Sequence, residues 1–154
     1  MKAIYPGTFD PFTKGHLNII ERASKIFSRI TIAVAISTSK KTMFTLEQRI
    51  DYTEKCVKHL PNVDVKPFSG MFIDFAKQEQ CYVVIRGIRN SKDTEYEIAL
   101  QAIQKSLYPQ IEFFMLPTIP EYSFISSTFV RDIIINNGDY NKFVPFSLEN
   151  YIKN

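Results

Sequence analysis

Tyr5-Pro6-Gly7-Thr8-Phe9-Asp10-Pro11-Phe12-Thr13-Lys14-Gly15-His16 is the stretch on which the reading of this chain turns. A short apolar strand, Ala3 to Tyr5, runs into it and is expected to stop at Pro6-Gly7. Beyond it Leu17, Ile20, Ala23 and Phe27 recur at helical spacing. Thr13 suits the N-cap of a helix beginning near Lys14, which places His16 in the first turn. A strand, a rigid turn and a helix start bring free backbone amides and the positive end of a helix dipole to one place, an arrangement that attracts anions. The chain contains neither GxGxxG nor the P-loop pattern, so Thr8 and His16 would have to serve in place of a glycine-rich phosphate cradle. Taken alone, His16 also reads as a surface histidine at a helix start.

The strand-then-helix rhythm repeats outward from this turn. Ile30 to Ser37 is apolar on both faces, as a central strand of a parallel sheet is. Thr45 and Gln48 have capping-box spacing, and Leu46, Ile50, Thr53, Val57 and Leu60 continue as a helical stripe that ends near Pro61. Val63 to Phe68 contains Pro67, which suits a strand at the sheet's edge. A short helix is expected after Gly70, and Cys81 to Gly87 reads as a buried strand. Tyr96, Ala99, Leu100, Ile103 and Leu107 mark a longer helix stopping before Pro109, and Ile111 to Leu116 is a fifth strand. Phe129, Val130, Ile133 and Ile134 form a helical stripe closed by Asn137-Gly138, and Ser147 caps a last helix to Ile152. The expectation is an α/β chain, a Rossmann-like single domain over residues 1–154, with a five-stranded parallel sheet covered by helices on both faces. Such sheets bind ligands at the carboxyl ends of their strands.

Composition narrows the function classes. With 154 residues, 45% hydrophobic and 23% charged, the chain has ordinary globular usage. No apolar run approaches the ~20 residues of a membrane span, and the N-terminus lacks the pattern of a secretory signal, so a cytoplasmic protein without a membrane partner is expected. Cys56 and Cys81 form no CxxC pair and the chain has only 2 histidines, so neither a zinc site nor a redox motif is expected, and both cysteines read as reduced packing residues. A net charge of +3 is too mild for a nucleic-acid partner and suits small anionic ligands.

Three further segments follow strands and carry polar chemistry. Ser39-Lys40-Lys41 follows the second strand, either as a solvated loop or with a lysine reaching a phosphate. In Ile85-Arg86-Gly87-Ile88-Arg89, Arg86 closes a buried strand and must have a carboxylate or phosphate partner. Phosphate clamping explains two arginines around a glycine better than surface pairing does. Glu97 stands three residues after Thr94, so it belongs either to a ligand site or to a capping box at the helix start. Tyr122-Ser123-Phe124-Ile125-Ser126-Ser127-Thr128 ends in a triple hydroxyl run at a helix N-terminus, suited to capping or to donating to a phosphate.

The Gly-His pair at a strand-helix turn resembles the nucleotidyltransferase signature. Taken together, YPGTFDPFTKGH, SKK followed by MFTLEQR, IRGIR with D-x-EYE, and YSFISS resemble, in order and spacing over nearly the whole chain, the bacterial phosphopantetheine adenylyltransferase family. Thr94, Tyr122 and Thr128 depart from the family's usual residues. The resemblance implies transfer of AMP from ATP to 4'-phosphopantetheine, giving 3'-dephospho-coenzyme A and pyrophosphate, the penultimate step of coenzyme A synthesis. It implies Mg2+ carried by the substrate phosphates with no protein metal site, coenzyme A as a feedback inhibitor, and a homohexamer. It makes His16, Lys40 and Arg89 catalytic, with His16 and Lys40 as cations or donors for developing charge. Thr8, Lys40, Phe72 and Arg86 would bind phosphopantetheine, with Met71 beside Phe72 on the pantetheine arm. ATP would be held by Thr8, Phe9, His16, Gly87, Ile88, Arg89, Glu97 and the segment Tyr122, Ser123, Phe124, Ile125, Ser126, Ser127 and Thr128. Two rivals share these features: a transferase using CTP or another phosphate acceptor, such as a glycerol-phosphate cytidylyltransferase, and a nucleotide-binding sensor without catalysis.

Overall fold

A computed structural model describes residues 1–36 and 41–152 of the chain. Its strands are β1 (Lys2–Gly7), β2 (Arg29–Ala35), β3 (Val63–Phe68), β4 (Val83–Ile88) and β5 (Glu112–Pro117). They form one parallel sheet in the order β3-β2-β1-β4-β5. The helices are α1 (Lys14–Ala23), α2 (Leu46–Val57), α3 (Phe72–Gln78), α4 (Ser91–Leu107), α5 (Ser127–Ile135) and α6 (Glu149–Ile152), with a 3-10 turn at Pro120–Tyr122. The strand order reverses at β1, whose neighbours β2 and β4 carry the chain off in opposite directions. The crevice above such a reversal is where a parallel sheet receives its ligand.

Alternation along β1 divides the core between two faces. Ala3 and Tyr5 pack with Ile19, Ile20 and Ala23 of α1 and with Tyr52 and Cys56 of α2. Ile4 packs on the opposite face with Ala33, Val84, Ile111 and the α3 residues Ile73 and Ala76. Both cysteines are free and buried, and burial pushes the Cys56 thiol up to about 12, so it stays protonated. The edge position of β3 accommodates Pro67, as its sequence suggests.

Pro6-Gly7 does not halt β1. Pro6 pairs with Ala33 and Gly7 with Val34 of β2, whereas the described pairing of β1 with β4 is confined to Ile4 and Val84. The proline thus stands where β1 has a ladder on one side, and on the other side Arg86 of β4 reaches its carbonyl at 3.4 Å.

α4 also departs from its sequence pattern. It starts at Ser91, with the Asn90 side chain accepting from the Asp93 amide, so Thr94 and Glu97 do not form a capping box. The Thr94 hydroxyl instead donates to the Asn90 carbonyl. Glu97 is the helix's buried residue, while Tyr96, Ile103 and Leu107 of the expected stripe are 65%, 61% and 48% exposed. The chain closes α5 as expected, with Gly138 and Asn137 amides donating to the carbonyls of Ile133 and Ile134 and Asn137 at φ 55°.

The two-way cap of α2 is local and exposed, with Gln48 N donating to Thr45 Oγ1 at 3.2 Å and Thr45 N to Gln48 Oε1 at 2.9 Å. Thr45→Ala is expected to lower the unfolding free energy in urea by about 1 kcal/mol without touching ligand binding; an unchanged midpoint contradicts the cap's role.

Candidate active site

α1 begins with the same kind of mutual cap, but here a histidine ring completes it. The His16 amide donates to Thr13 Oγ1 at 3.4 Å, and the Thr13 amide donates to His16 Nδ1 at 3.0 Å. A backbone N–H can only donate, so Nδ1 is an acceptor, the ring is neutral, and its proton sits on Nε2. Tyr5, Phe9 and Phe12 surround the ring at centroid distances of 6.3, 5.2 and 5.3 Å. Their burial of it, and then the Arg89 charge, push the His16 pKa down to about 4. His16 is therefore a neutral donor, and the cationic role expected of it does not apply near neutral pH.

The turn before α1 is packed from beneath. Phe9 has φ 50°, in the left-handed region, and its ring folds under the chain so closely that a Cβ on Gly7 would stand 2.7 Å from its Cζ. Asp10, 3% exposed, accepts from the amides of Met43 and Phe44 at 2.9 and 3.0 Å. From α2, Arg49 donates to the carbonyls of Thr8, Ala35 and Phe44 at 2.6, 3.0 and 3.3 Å.

Across the sheet edge, β4 and the residues just after it contribute two arginines. Arg86 is held by Glu97 through Nε to Oε2 at 2.6 Å and Nη2 to Oε1 at 2.5 Å, the partner that its burial demanded. Arg89 pairs with Asp93 at 2.9 Å. The N-terminus of α5 closes the other side. Ser126 Oγ caps it by accepting from the Phe129 amide at 3.1 Å, Ser127 donates to the Pro11 carbonyl at 2.8 Å, and Thr128 accepts from Arg131 at 3.2 Å. Ser126 and Thr128 thus keep a hydroxyl proton to donate, whereas that of Ser127 is committed to the turn.

These groups enclose a cleft of about 550 Å³ at the carboxyl ends of β1 and β4. A recess of about 190 Å³ opens beside it, between Ala35, Phe68, Phe72 and Gln104. Pro6, Gly7, Thr8 and Arg86 line both. Two ligand spaces therefore meet at a hydroxyl and a guanidinium.

A family model described as cytidylyltransferase-like matches residues 4–133. Over 145 residues the chain is 46% identical to a phosphopantetheine adenylyltransferase of Nautilia profundicola, covering 94% of each chain. The chain belongs to the phosphopantetheine adenylyltransferase family. Likeness of fold extends further. A crystal structure described as a nicotinate-nucleotide adenylyltransferase from Vibrio parahaemolyticus aligns with TM-score 0.74 at 17% identity, over 99% of this chain and 91% of that one. A bifunctional NMN adenylyltransferase/ADP ribose pyrophosphatase from Francisella tularensis aligns with TM-score 0.71 at 17% identity, over 94% of this chain and 45% of that one.

Of the residues to which the phosphopantetheine adenylyltransferase resemblance points, Thr8, Phe9, His16, Arg86, Gly87, Arg89, Glu97, Tyr122, Ile125, Ser126, Ser127 and Thr128 line the cleft, and Phe72 lines the recess. Ile88 and Ser123 are not in either lining. Ser123 Oγ bonds the Pro120 carbonyl, and Phe124 faces a separate apolar hollow with Phe129 and Phe143. Lys40 lies outside the described residues. Arg131, which belongs to none of the sequence motifs, also lines the cleft. It donates to the Asp10 carbonyl at 2.6 Å and brings a third arginine to the cleft. The signal was there, since Arg131 follows Thr128 by three residues on a helix and so shares its face. Gln104, likewise outside the motifs, lines the recess; its buried Oε1 has no hydrogen-bond partner among the described residues.

The depressed His16 pKa makes stability depend on pH. Below the ordinary value of 6.5 the unfolded chain takes up a proton at this ring and the folded chain does not until about 4, so the group withdraws stability as pH falls through that window. Nitrogen-15 spectra of the ring at about pH 5.5 are expected to show a neutral imidazole protonated at Nε2. An imidazolium at that pH contradicts the cap geometry.

Proposed function

We propose that the chain moves the adenylyl group of ATP onto the phosphate of 4'-phosphopantetheine, releasing pyrophosphate and forming 3'-dephospho-coenzyme A. The observation that carries this is the meeting of the cleft and the recess at Thr8 and Arg86. A nucleotide fits the polar cleft, and a narrow acceptor arm fits the recess. The arm of phosphopantetheine carries amide groups, and the side-chain amide of Gln104, a residue lining the recess, is of matching chemistry.

An oxygen of the acceptor phosphate attacks the alpha-phosphorus, the bond from that phosphorus to the bridging oxygen breaks, and pyrophosphate leaves with the electron pair. The attacking oxygen is already ionised, so no general base is required. The protein's work is alignment and stabilisation of charge. His16 donates Nε2–H to an alpha-phosphate oxygen. Thr8 stands between the substrates, Arg86 holds the acceptor phosphate with Lys40, and Glu97 keeps Arg86 in place. Arg89, Ser126 and Thr128, joined by Arg131, take the beta- and gamma-phosphates, with Tyr122 and Ile125 beside the nucleoside.

Mg2+ would accompany ATP. The cleft's carboxylates do not fit a metal cage: Asp10 is taken by two amides with Arg131 at 3.6 Å, Asp93 by Arg89, and Glu97 by Arg86. When bound, the ion neutralises phosphate charge on the substrate itself. No helix among the described residues is long and apolar enough to cross a membrane, and a cytoplasmic enzyme is the reading we adopt. The apolar side chains that α4 leaves exposed support assembly, with a homohexamer as the family's expectation and coenzyme A as its feedback inhibitor.

Incubation with ATP, Mg2+ and 4'-phosphopantetheine is expected to yield dephospho-coenzyme A by mass and pyrophosphate in equal amount, with CTP a poor substitute. Pyrophosphate release only with CTP, or none, contradicts the reading. His16→Ala is expected to lower turnover by about 10² to 10⁴ while KM for ATP stays within a few-fold, because the contact is made chiefly in the transition state. Arg86→Ala is expected to raise KM for phosphopantetheine about 10- to 100-fold and more than that for ATP. Thermal melting must accompany that variant, since Glu97 is left buried and unpaired; equal loss for both substrates argues against the assignment.

A further inference from the structure

Arg49 is a buried cation that the catalytic scheme leaves unused. It is 3% exposed and forms no ion pair among the described residues. Burying a guanidinium is costly unless its donors are met. Here three backbone carbonyls from separate places take its Nε and Nη1 donors: Thr8 in the turn, Ala35 at the end of β2, and Phe44 ahead of α2. A planar fork is the side-chain group that can serve several acceptors at once. An apolar side chain could fill the same volume, so the choice of arginine points to what it does to those carbonyls.

The shortest of the three contacts, 2.6 Å, is to Thr8. Among the described residues the cis peptide is at Asp10-Pro11 alone, so the Thr8-Phe9 peptide is trans and its carbonyl and N–H point in opposite directions. Arg49 lies beneath the turn and takes the carbonyl, which turns the Phe9 N–H to the opposite side, where Thr8 and Phe9 line the cleft. Among the described residues that N–H has no hydrogen-bond partner. The buried Phe9 ring, 4% exposed, holds the same peptide plane from the other end, and Arg131 takes the next carbonyl but one, that of Asp10.

We propose that Arg49 is a positioning residue: by gripping the Thr8 carbonyl it keeps the Phe9 amide aimed into the cleft as a donor to a nucleotide phosphate oxygen. The proposal rests on the reading of this cleft as a nucleotide-phosphate site. Its effect belongs to ATP binding and needs no acceptor.

The test uses the full chain labelled with nitrogen-15 and titrated with ATP in the absence of phosphopantetheine. In the wild type the Phe9 amide proton is expected to move downfield on saturation. Arg49→Lys keeps the charge but serves fewer carbonyls, and Arg49→Met keeps only the volume. ATP affinity is expected to fall about tenfold in the lysine variant and further in the methionine variant, with the Phe9 displacement shrinking in the same order. A purely structural arginine would lower the melting temperature and leave affinity and the Phe9 displacement of the folded protein unchanged. If Arg49→Met does not fold, Arg49→Lys decides alone. The proposal is overturned if Arg49→Lys binds ATP within twofold of wild type with an equal Phe9 displacement. It is also overturned, while the nucleotide reading survives, if ATP moves the amides of His16 and Ser126 but not that of Phe9. An ATP titration that moves no amide of the cleft overturns both.

Discussion

A helix start leaves backbone amides without partners, and in α1 one of its neighbours, the Thr13 amide, is satisfied by the Nδ1 of His16. That single hydrogen bond sets the site's chemistry. It holds the ring at the end of β1, settles which nitrogen carries the proton, and forbids the charged form that a histidine beside phosphates could otherwise adopt. Aromatic packing by Tyr5, Phe9 and Phe12 around the half-buried ring reinforces the choice by disfavouring its charged form. The result is a hydrogen-bond donor whose orientation is prepared before a substrate arrives, which is what stabilisation of a developing phosphate charge requires.

The rest of the cleft follows the same logic of commitment in advance. Arg86 is tied by Glu97, Arg89 by Asp93, and Arg131 by the Asp10 and Thr128 oxygens. Each cation keeps its place through a partner on the protein, so under the proposed function little binding energy is spent on ordering long side chains. The carboxylates serve as holders of arginines or, for Asp10, of the amides before α2. The proposed reaction by positioning suits this division, since an acceptor that is itself an ionised phosphate asks for no base.

Local features were legible in the sequence. Thr13 and Thr45 announce their helices by capping spacing, Pro67 marks an edge strand, and apolar runs on both faces mark β2 and β4 as interior strands of a parallel sheet. The burial of Arg86 at a strand end showed that it needed a partner. What failed were features decided by distant parts of the chain. Of the two roles open to Glu97 in the sequence, the capping box with Thr94 fails, because Asn90 starts the helix and the carboxylate turns to Arg86 of β4 at the cleft. The stripe on α4 resembles a core face, yet the sheet reaches chiefly Glu97 on that helix. Arg49 and Gln104 look like ordinary helix-surface residues until the fold brings Thr8 over one and the recess over the other. Pro6 looked like a stop because the loss of its N–H is harmless only where β1 pairs on one side, a fact of sheet topology.

The central claim is that this site aligns two phosphates for direct displacement and lends no nucleophile of its own. The most direct measurement is the stereochemical course at phosphorus, using ATP made chiral by an alpha-phosphorothioate and analysing the configuration of the dephospho-coenzyme A analogue formed. A single in-line displacement predicts inversion. Retention, accompanied by protein that gains the mass of one AMP when incubated with ATP alone, would mean that a side chain takes the adenylyl group first and would contradict the account.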